Sequence, residues 1–163
     1  MKYELTENKK TFYGKTLYQI RALVYIAAIG VKVGDLGGYI ESESCLSHDG
    51  DAWVSGDAKV YGNAKVYGDA LVYGDAKVYG NALVYGNAQV SGNAHKTPVL
   101  ISGLHWHVTI IDTEINIGCQ FHKIEKWEEF TDEKINEMDD KALEFWSQNK
   151  QVIMTLANNH KVK

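Results

Sequence analysis

The sequence predicts a mainly β protein built around a short parallel β-helix. Three observations carry this. A six-residue unit recurs without interruption from Ala52 to Ala94, every unit has a valine at the same place, and every unit has a glycine followed by Asp or Asn. The units run Ala58-Lys59-Val60-Tyr61-Gly62-Asn63, Ala64-Lys65-Val66-Tyr67-Gly68-Asp69 and so on to Ala88-Gln89-Val90-Ser91-Gly92-Asn93. Fixed spacing over many copies marks a solenoid, in which each unit buries its apolar face only by stacking on its neighbours.

Each unit supplies one short strand and one corner. Valine is β-branched and suits a pleated, buried surface. Alanine, two residues earlier, shares its face because strand side chains alternate. Glycine then Asp or Asn is turn chemistry. Three units make a triangular coil of about 18 residues, and coils stack about 4.8 Å apart. A disordered low-complexity tract needs no apolar residue at a fixed position. A coiled coil needs a period of seven and no recurrent glycine.

An 18-residue period sorts the outward side chains into columns. Tyr61 aligns with Tyr79, Tyr67 with Tyr85, Tyr73 with Ser55 and Ser91, Trp53 with Leu71 and Gln89, Lys59 with Lys77 and His95, and Lys65 with Leu83. Tyrosine follows the inward valine and so points out. Exposed aromatic columns either stabilise the sheet by cross-strand stacking or form contact surfaces, and the contact reading is preferred here because exposed apolar patches mark interaction sites. The candidate interface residues are therefore Trp53, Tyr61, Tyr67, Leu71, Tyr73, Tyr79, Leu83 and Tyr85. The Trp53, Leu71 and Tyr73 face is the most apolar and is expected to be covered by the C-terminal segment or by another subunit. The Asp and Asn corner columns (Asp57, Asp75, Asn93) are read as turn residues, because calcium requires several converging oxygens.

Three parts are expected: an N-terminal cap over 1–39, the β-helix over 40–97, and a β-hairpin with a helical segment over 98–163. Lys2–Leu5 and Thr16–Leu23 alternate like strands, and the apolar run Ala22–Ile29 is read as buried. Ile40 and Leu46 lie six apart, so irregular units begin there, with Ser47–Gly50 as an enlarged corner. After Pro98, the only proline, Trp106, Val108 and Ile110 alternate, Asp112-Thr113 reads as a turn, and Ile115 and Ile117 alternate again. Ile124, Trp127 and Phe130 suggest a short helix. Thr131 is a helix N-cap, followed by an apolar stripe through Ile135, Met138, Ala142, Phe145, Trp146, Ile153 and Leu156.

A net charge of −4 on 163 residues argues against extended nucleic-acid binding. No leader-like segment opens the sequence and no run is long enough to span a membrane as a helix. Two cysteines, Cys45 and Cys119, suit a reduced cytoplasm. The glycine-rich stretch 30–40 matches neither the dinucleotide fingerprint nor Walker A. His105, His107, Cys119 and His122 invite a metal site, but a hairpin turning at Asp112-Thr113 points the histidines away from Cys119, so no metal and no cofactor is expected. No catalytic residue is assigned.

The Val-x-Gly-x-Ala series resembles the hexapeptide-repeat superfamily of left-handed β-helices, which implies a left-handed coil. Many members are acyltransferases, which would imply a trimer and a histidine base. Here only His48 and His95 are placed for that role, and nothing in the sequence supplies an orienting partner. Lys2–Leu5, Tyr13–Leu23, Val33–Ile40, Ile115–Cys119 and Ile124–Trp127 also resemble phage and prophage proteins labelled polymer-forming or bactofilin-like. That resemblance implies a mobile-element origin and a non-catalytic binding or assembly role in the host cytoplasm. The expected partners are its own copies, as a dimer or trimer, and a host protein or small nucleotide, as in counter-defence. A self-assembling scaffold and an acyltransferase are the alternatives.

Overall fold

Tyr13 and Gly14 both take positive φ, 46° and 74°, as a two-residue hairpin turn requires. They join β1 (Tyr3–Phe12) to β2 (Lys15–Ala22) in an antiparallel pair with Phe12 opposite Lys15 and Tyr3 opposite Ala22. The structure is a computed structural model describing residues 1–162. It divides into two units, Met1–Pro98 and the residues from Val99 on. Strand β1 is an outer strand of its sheet. A register shift between Leu5 and Lys9, together with Glu7, Lys9 and Lys10, blunts it against further pairing.

Strand β3 (Leu36–Ile40) pairs antiparallel with β2 and opens the solenoid. Short strands follow at the repeat spacing: β4 (Trp53–Val54), β5 (Lys59–Val60), β6 (Lys65–Val66), β7 (Leu71–Val72), β8 (Lys77–Val78), β9 (Leu83–Val84), β10 (Gln89–Val90) and β11 (Asn93–Ala94). They form three faces. One carries β1-β2-β3-β5-β8-β11, one β4-β7-β10, and one β6-β9, extended by a parallel bridge from Leu46 to Val66. These are about three coils of parallel β-solenoid, the predicted architecture.

The coils are joined by a regular ladder. Lys59 N donates to Ala76 O at 2.9 Å, Tyr61 N to Val78 O at 3.0 Å, Lys65 N to Ala82 O at 3.0 Å and Leu71 N to Ala88 O at 2.9 Å. The interior is filled by Val54, Val60, Val66, Val72, Val78, Val84 and Val90 with the alanines of each unit, all buried. The early irregular unit also falls where its spacing places it: Ile40 pairs with Val60.

Two expectations for this unit need correction. In the final coil Asn93 rather than His95 lies beside Lys77, and Ala94 beside Val78. The coil is two residues short, and the ladder there lengthens to 3.3 Å from Lys77 N to Gly92 O. His95 instead tilts onto Tyr79, ring centroids 5.2 Å apart. The run Ala22–Ile29 is also not a buried segment. Only Ala22 and Ile26 are buried, while Leu23, Val24 and Tyr25 are exposed. An apolar run without a period has no single face to bury.

The second unit is a four-stranded antiparallel sheet with three helices. Its strands are β12 (Val99–Ile101), β13 (Val108–Ile110), β14 (Glu114–Ile117) and β15 (Gln120–Lys123), in that spatial order. Thr109 opposite Asn116 sets the register of the hairpin that turns at Asp112-Thr113, as predicted. Helices α1 (Ile124–Glu129), α2 (Asp132–Asn136) and α3 (Ala142–His160) follow. The Thr131 hydroxyl caps α2 by accepting from Lys134 N at 3.3 Å. The stripe from Ile135 to Leu156 is not one continuous helix. It breaks between α2 and α3, where Asp139 Oδ1 accepts from Lys141 N at 2.9 Å, a local turn competing with the helix. The sheet and helices bury one apolar core, with Val108, Ile110, Ile115, Trp127, Ile135, Phe145, Trp146 and Ile153 at its centre. No helix among the described residues is long and apolar enough to cross a membrane.

Strand β3 lies against the first coil so closely that glycine is required. A Cβ at Gly38 would sit 2.7 Å from both Ala58 O and Val54 Cγ1, whereas a Cβ at Gly14 meets nothing within 4 Å. Gly38→Ala should lower unfolding free energy by about 3 kcal/mol, the upper end of overpacking costs, because one clash is with backbone. Gly14→Ala, which adds only left-handed backbone strain, should cost about 1 kcal/mol. Chemical denaturation of both variants checks this, and equal losses would refute the close approach at β3.

Candidate binding surfaces

The N-terminal hairpin decides which repeat columns stay accessible. Tyr61 stacks on Tyr79 with centroids 5.5 Å apart and planes 7° apart, as the column predicts. Phe12 of β1 meets Tyr61 edge-on at 5.6 Å. Leu17, Tyr39 and Tyr61 form a buried cluster, with Phe12 and Tyr79 packed against it. Lys59 Nζ stands 5.5 Å and Lys77 Nζ 5.9 Å from the Phe12 ring centroid, and Lys10 Nζ 4.2 Å from that of Tyr39.

Two candidate interface residues are therefore unavailable as surface. Tyr61 is 8% exposed and Trp53 3%. The neighbour of Trp53 is Tyr3 of β1, edge-on at 6.4 Å. Cover of Trp53 therefore includes the N-terminal strand of the same unit. Leu71, Tyr73 and Tyr79 are half-buried. Tyr67, Leu83 and Tyr85 remain exposed, with Tyr67 and Tyr85 stacked at 5.5 Å.

The first coil is closed by residues 2 and 3. Lys2 Nζ donates to Ala52 O at 2.7 Å and to Gly50 O at 3.1 Å. Burial holds its ammonium below the usual lysine range, against the opposing pull of Asp51, Asp49 and Asp69. The Tyr3 hydroxyl lies 2.7 Å from Leu46 O and 3.2 Å from Glu43 O, and burial pushes its phenol well above the ordinary tyrosine range. The His48 ring stacks on Tyr3 at 4.3 Å, and its Nδ1 accepts from Lys2 N at 3.2 Å. One nitrogen of the histidine weighed as an acyl-transfer base is thus engaged in closing the coil.

A further run of exposed apolar residues escaped the sequence reading. Leu23, Val24, Tyr25, Val33 and Leu36 are all exposed, Tyr25 at 62% and Val33 at 65%. Their backbone is well tied. Ile26 N donates to Val31 O, Gly34 N to Ala22 O and Lys32 N to an Asp35 carboxylate oxygen, each at 2.8 Å. The available signal was the run of apolar residues without alternation between Ala22 and Gly30, followed by four glycines from Gly30 to Gly38.

The residues weighed for a metal do not converge. His105, His107 and Cys119 are exposed, while His122 is half-buried. No group of three or more His, Cys, Asp or Glu among the described residues is arranged to hold a metal ion. His122 packs edge-on against Trp127 at 5.3 Å and Phe130 at 4.9 Å, with Nε2 3.2 Å from Gln120 Oε1.

A family model described as a YdcK beta solenoid repeat matches residues 76–92. The match spans less than one coil and so bears on the repeat alone. Compared with curated proteins, the chain matches none.

The His122 site makes a pH prediction. Burial, and then the Lys126 ammonium, hold its imidazole below the usual histidine pKa. Below about pH 6.5 the unfolded chain takes up a proton that the folded chain resists. Stability is therefore full above that pH and falls as pH drops toward the folded-state pKa. Thermal melts from about pH 7.5 to about pH 5.5 should show a steeper loss for the native protein than for His122→Gln. Parallel curves would refute it.

Proposed function

We propose that the protein is a non-catalytic binding and assembly module, in which a left-handed solenoid serves as a rigid mount. The observation that carries this is the exposure of Leu23, Val24, Tyr25 and Val33 on the hydrogen-bonded loop between β2 and β3, and of Leu36 at the start of β3. Large apolar side chains gathered on a tied backbone are ready for docking, because little chain entropy remains to be lost on binding. The Tyr67, Leu83 and Tyr85 surface supports the same reading as a second contact area. In this proposal the loop mediates association between copies of the chain, giving a dimer or trimer. The resemblance to phage and prophage proteins extends the proposal to a cytoplasmic counter-defence role, with a host protein or a nucleotide signal as the target.

Light scattering separates this from a monomeric or open-ended scaffold. The native protein should have the mass of a closed dimer or trimer, independent of concentration above its dissociation constant. Tyr25→Ser with Val33→Ser should give a monomer that keeps the native circular dichroism spectrum, since both side chains are exposed, and whose melting temperature no longer rises with protein concentration. A native monomer, a mass that grows with concentration, or an oligomer untouched by the double substitution would each reject the loop as the assembly surface.

A further inference from the structure

The N-terminal hairpin holds an open groove of about 370 Å³ next to the exposed loop. The register shift in β1 creates it. Leu5 pairs with Ile20 and Lys9 with Tyr18, so Thr6, Glu7 and Asn8 are matched on β2 by Gln19 alone. Gln19 is held at both ends of its amide. Its Oε1 accepts from Asn8 Nδ2 at 2.6 Å, and its Nε2 donates to Gly37 O at 3.0 Å. Leu5 and Leu36 supply the apolar lining, and the Arg21–Glu4 ion pair supplies a polar part of the wall. Groove and loop are continuous in the chain. β2 carries Gln19 and Arg21 and runs into the loop at Leu23, and the loop ends at Leu36, which lies opposite Arg21.

Size and charge indicate what the groove takes. Ligand pockets run from about 300 to about 1,000 Å³, so a groove at the low end receives one large side chain rather than a folded element. Tyr25 is the largest side chain on the loop and is 62% exposed. A tyrosine ring has an apolar body and a polar tip, which suits two leucines within a polar wall. The charges also match. Glu7 lines the groove and Lys32 stands on the loop, both are exposed, and among the described residues neither forms an ion pair. A patch that carries both a projection and its receptor is self-complementary, so a two-fold axis lets each copy give its loop and receive the other's. We infer that the groove beside Leu5 and Leu36 receives the loop of a second copy, with Tyr25 seated in the groove and Lys32 paired with Glu7 across a two-fold dimer. This rests on the loop being the assembly surface, and it supplies the surface that the loop meets.

Charge exchange tests the match, with the dimer dissociation constant read by sedimentation over a dilution series. Glu7→Lys and Lys32→Glu should each weaken the dimer by about tenfold or more, because each sets like charges together at two places. An equimolar mixture of the two variants should dimerise again, since both contacts then join opposite charges. Both changes in one chain should also restore the dimer. Circular dichroism should show the native fold throughout, because both side chains are exposed. The native dimer gives a check that needs no variant: its dissociation constant should rise several-fold from about 0.05 M to about 0.5 M salt. A salt-independent dimer, an affinity unmoved by Glu7→Lys, or no recovery in the mixture and the combined chain would each overturn the pairing. A dimer abolished by Tyr25→Ser with Val33→Ser but untouched by Glu7→Lys rejects the groove and keeps the loop. A native monomer rejects the loop itself, and the groove with it.

Discussion

The solenoid depends on one ladder of hydrogen bonds between successive coils. An amide in one coil reaches a carbonyl in the next, as from Tyr61 to Val78 or Leu71 to Ala88. Outward columns align only while each coil contains the same number of residues, although the ladder itself also spans the enlarged corner, as from Ser47 N to Val66 O, and the shortened last coil. That requirement fixes the rest: alanine and valine fill a cross-section of constant width, glycine turns every regular corner, and side chains one coil apart align. The stacking of Tyr61 on Tyr79 and of Tyr67 on Tyr85 at the same 5.5 Å is this spacing seen from outside. Where the last coil loses two residues, the alignment moves with it and Asn93 takes the place beside Lys77.

A stack of parallel strands leaves unpaired backbone at its first coil. Here the opening is closed by a change of direction. β2 runs antiparallel to β3, β1 folds back on β2, and the first residues of β1 reach the rim of the coil. Lys2 meets Gly50 and Ala52 carbonyls and Tyr3 lies beside that of Leu46, so polar side chains meet carbonyl groups that would otherwise lose their partners. The same hairpin carries Phe12 over the Tyr61 column, so one element closes the end and covers part of a side.

The periodic part of this fold was legible in the sequence because period is a local property. Coil length, inward valines, the aligned tyrosines, the irregular unit at Ile40 and Leu46, and the turn at Asp112-Thr113 all follow from spacing. What spacing cannot convey is cover. Tyr61 has an outward position, yet Phe12, far away in sequence, buries it. Trp53 sits in an outward column too, and Tyr3 lies against it. The strand Gln120–Lys123 has no apolar alternation, and the Asp139 turn that splits the last stripe uses a residue that is equally at home on a helix surface. The tryptophan cluster was invisible for the same reason: Trp106, Trp127 and Trp146 belong to three separate sequence patterns until the sheet and helices bring them together.

Near-identical units also raise a problem of identity. One Ala-x-Val-Tyr-Gly segment satisfies the inner positions of a coil as well as another, so the ladder alone does not say which valine belongs beside which. A chain displaced by one whole coil would keep its alanines and valines inside and its glycines at the corners. Contacts that are not periodic remove this ambiguity. Glu41 accepts from Gly62 N at 2.7 Å while pairing with Lys15 at 2.8 Å, and Phe12 meets Tyr61 edge-on. Such contacts lie at both ends of the repeat, where His95 also packs on Tyr79 and Leu83 N donates to Thr97 Oγ1. Correct alignment of the stack is thus written into its non-periodic ends, and the repeats between them copy a register they do not themselves encode.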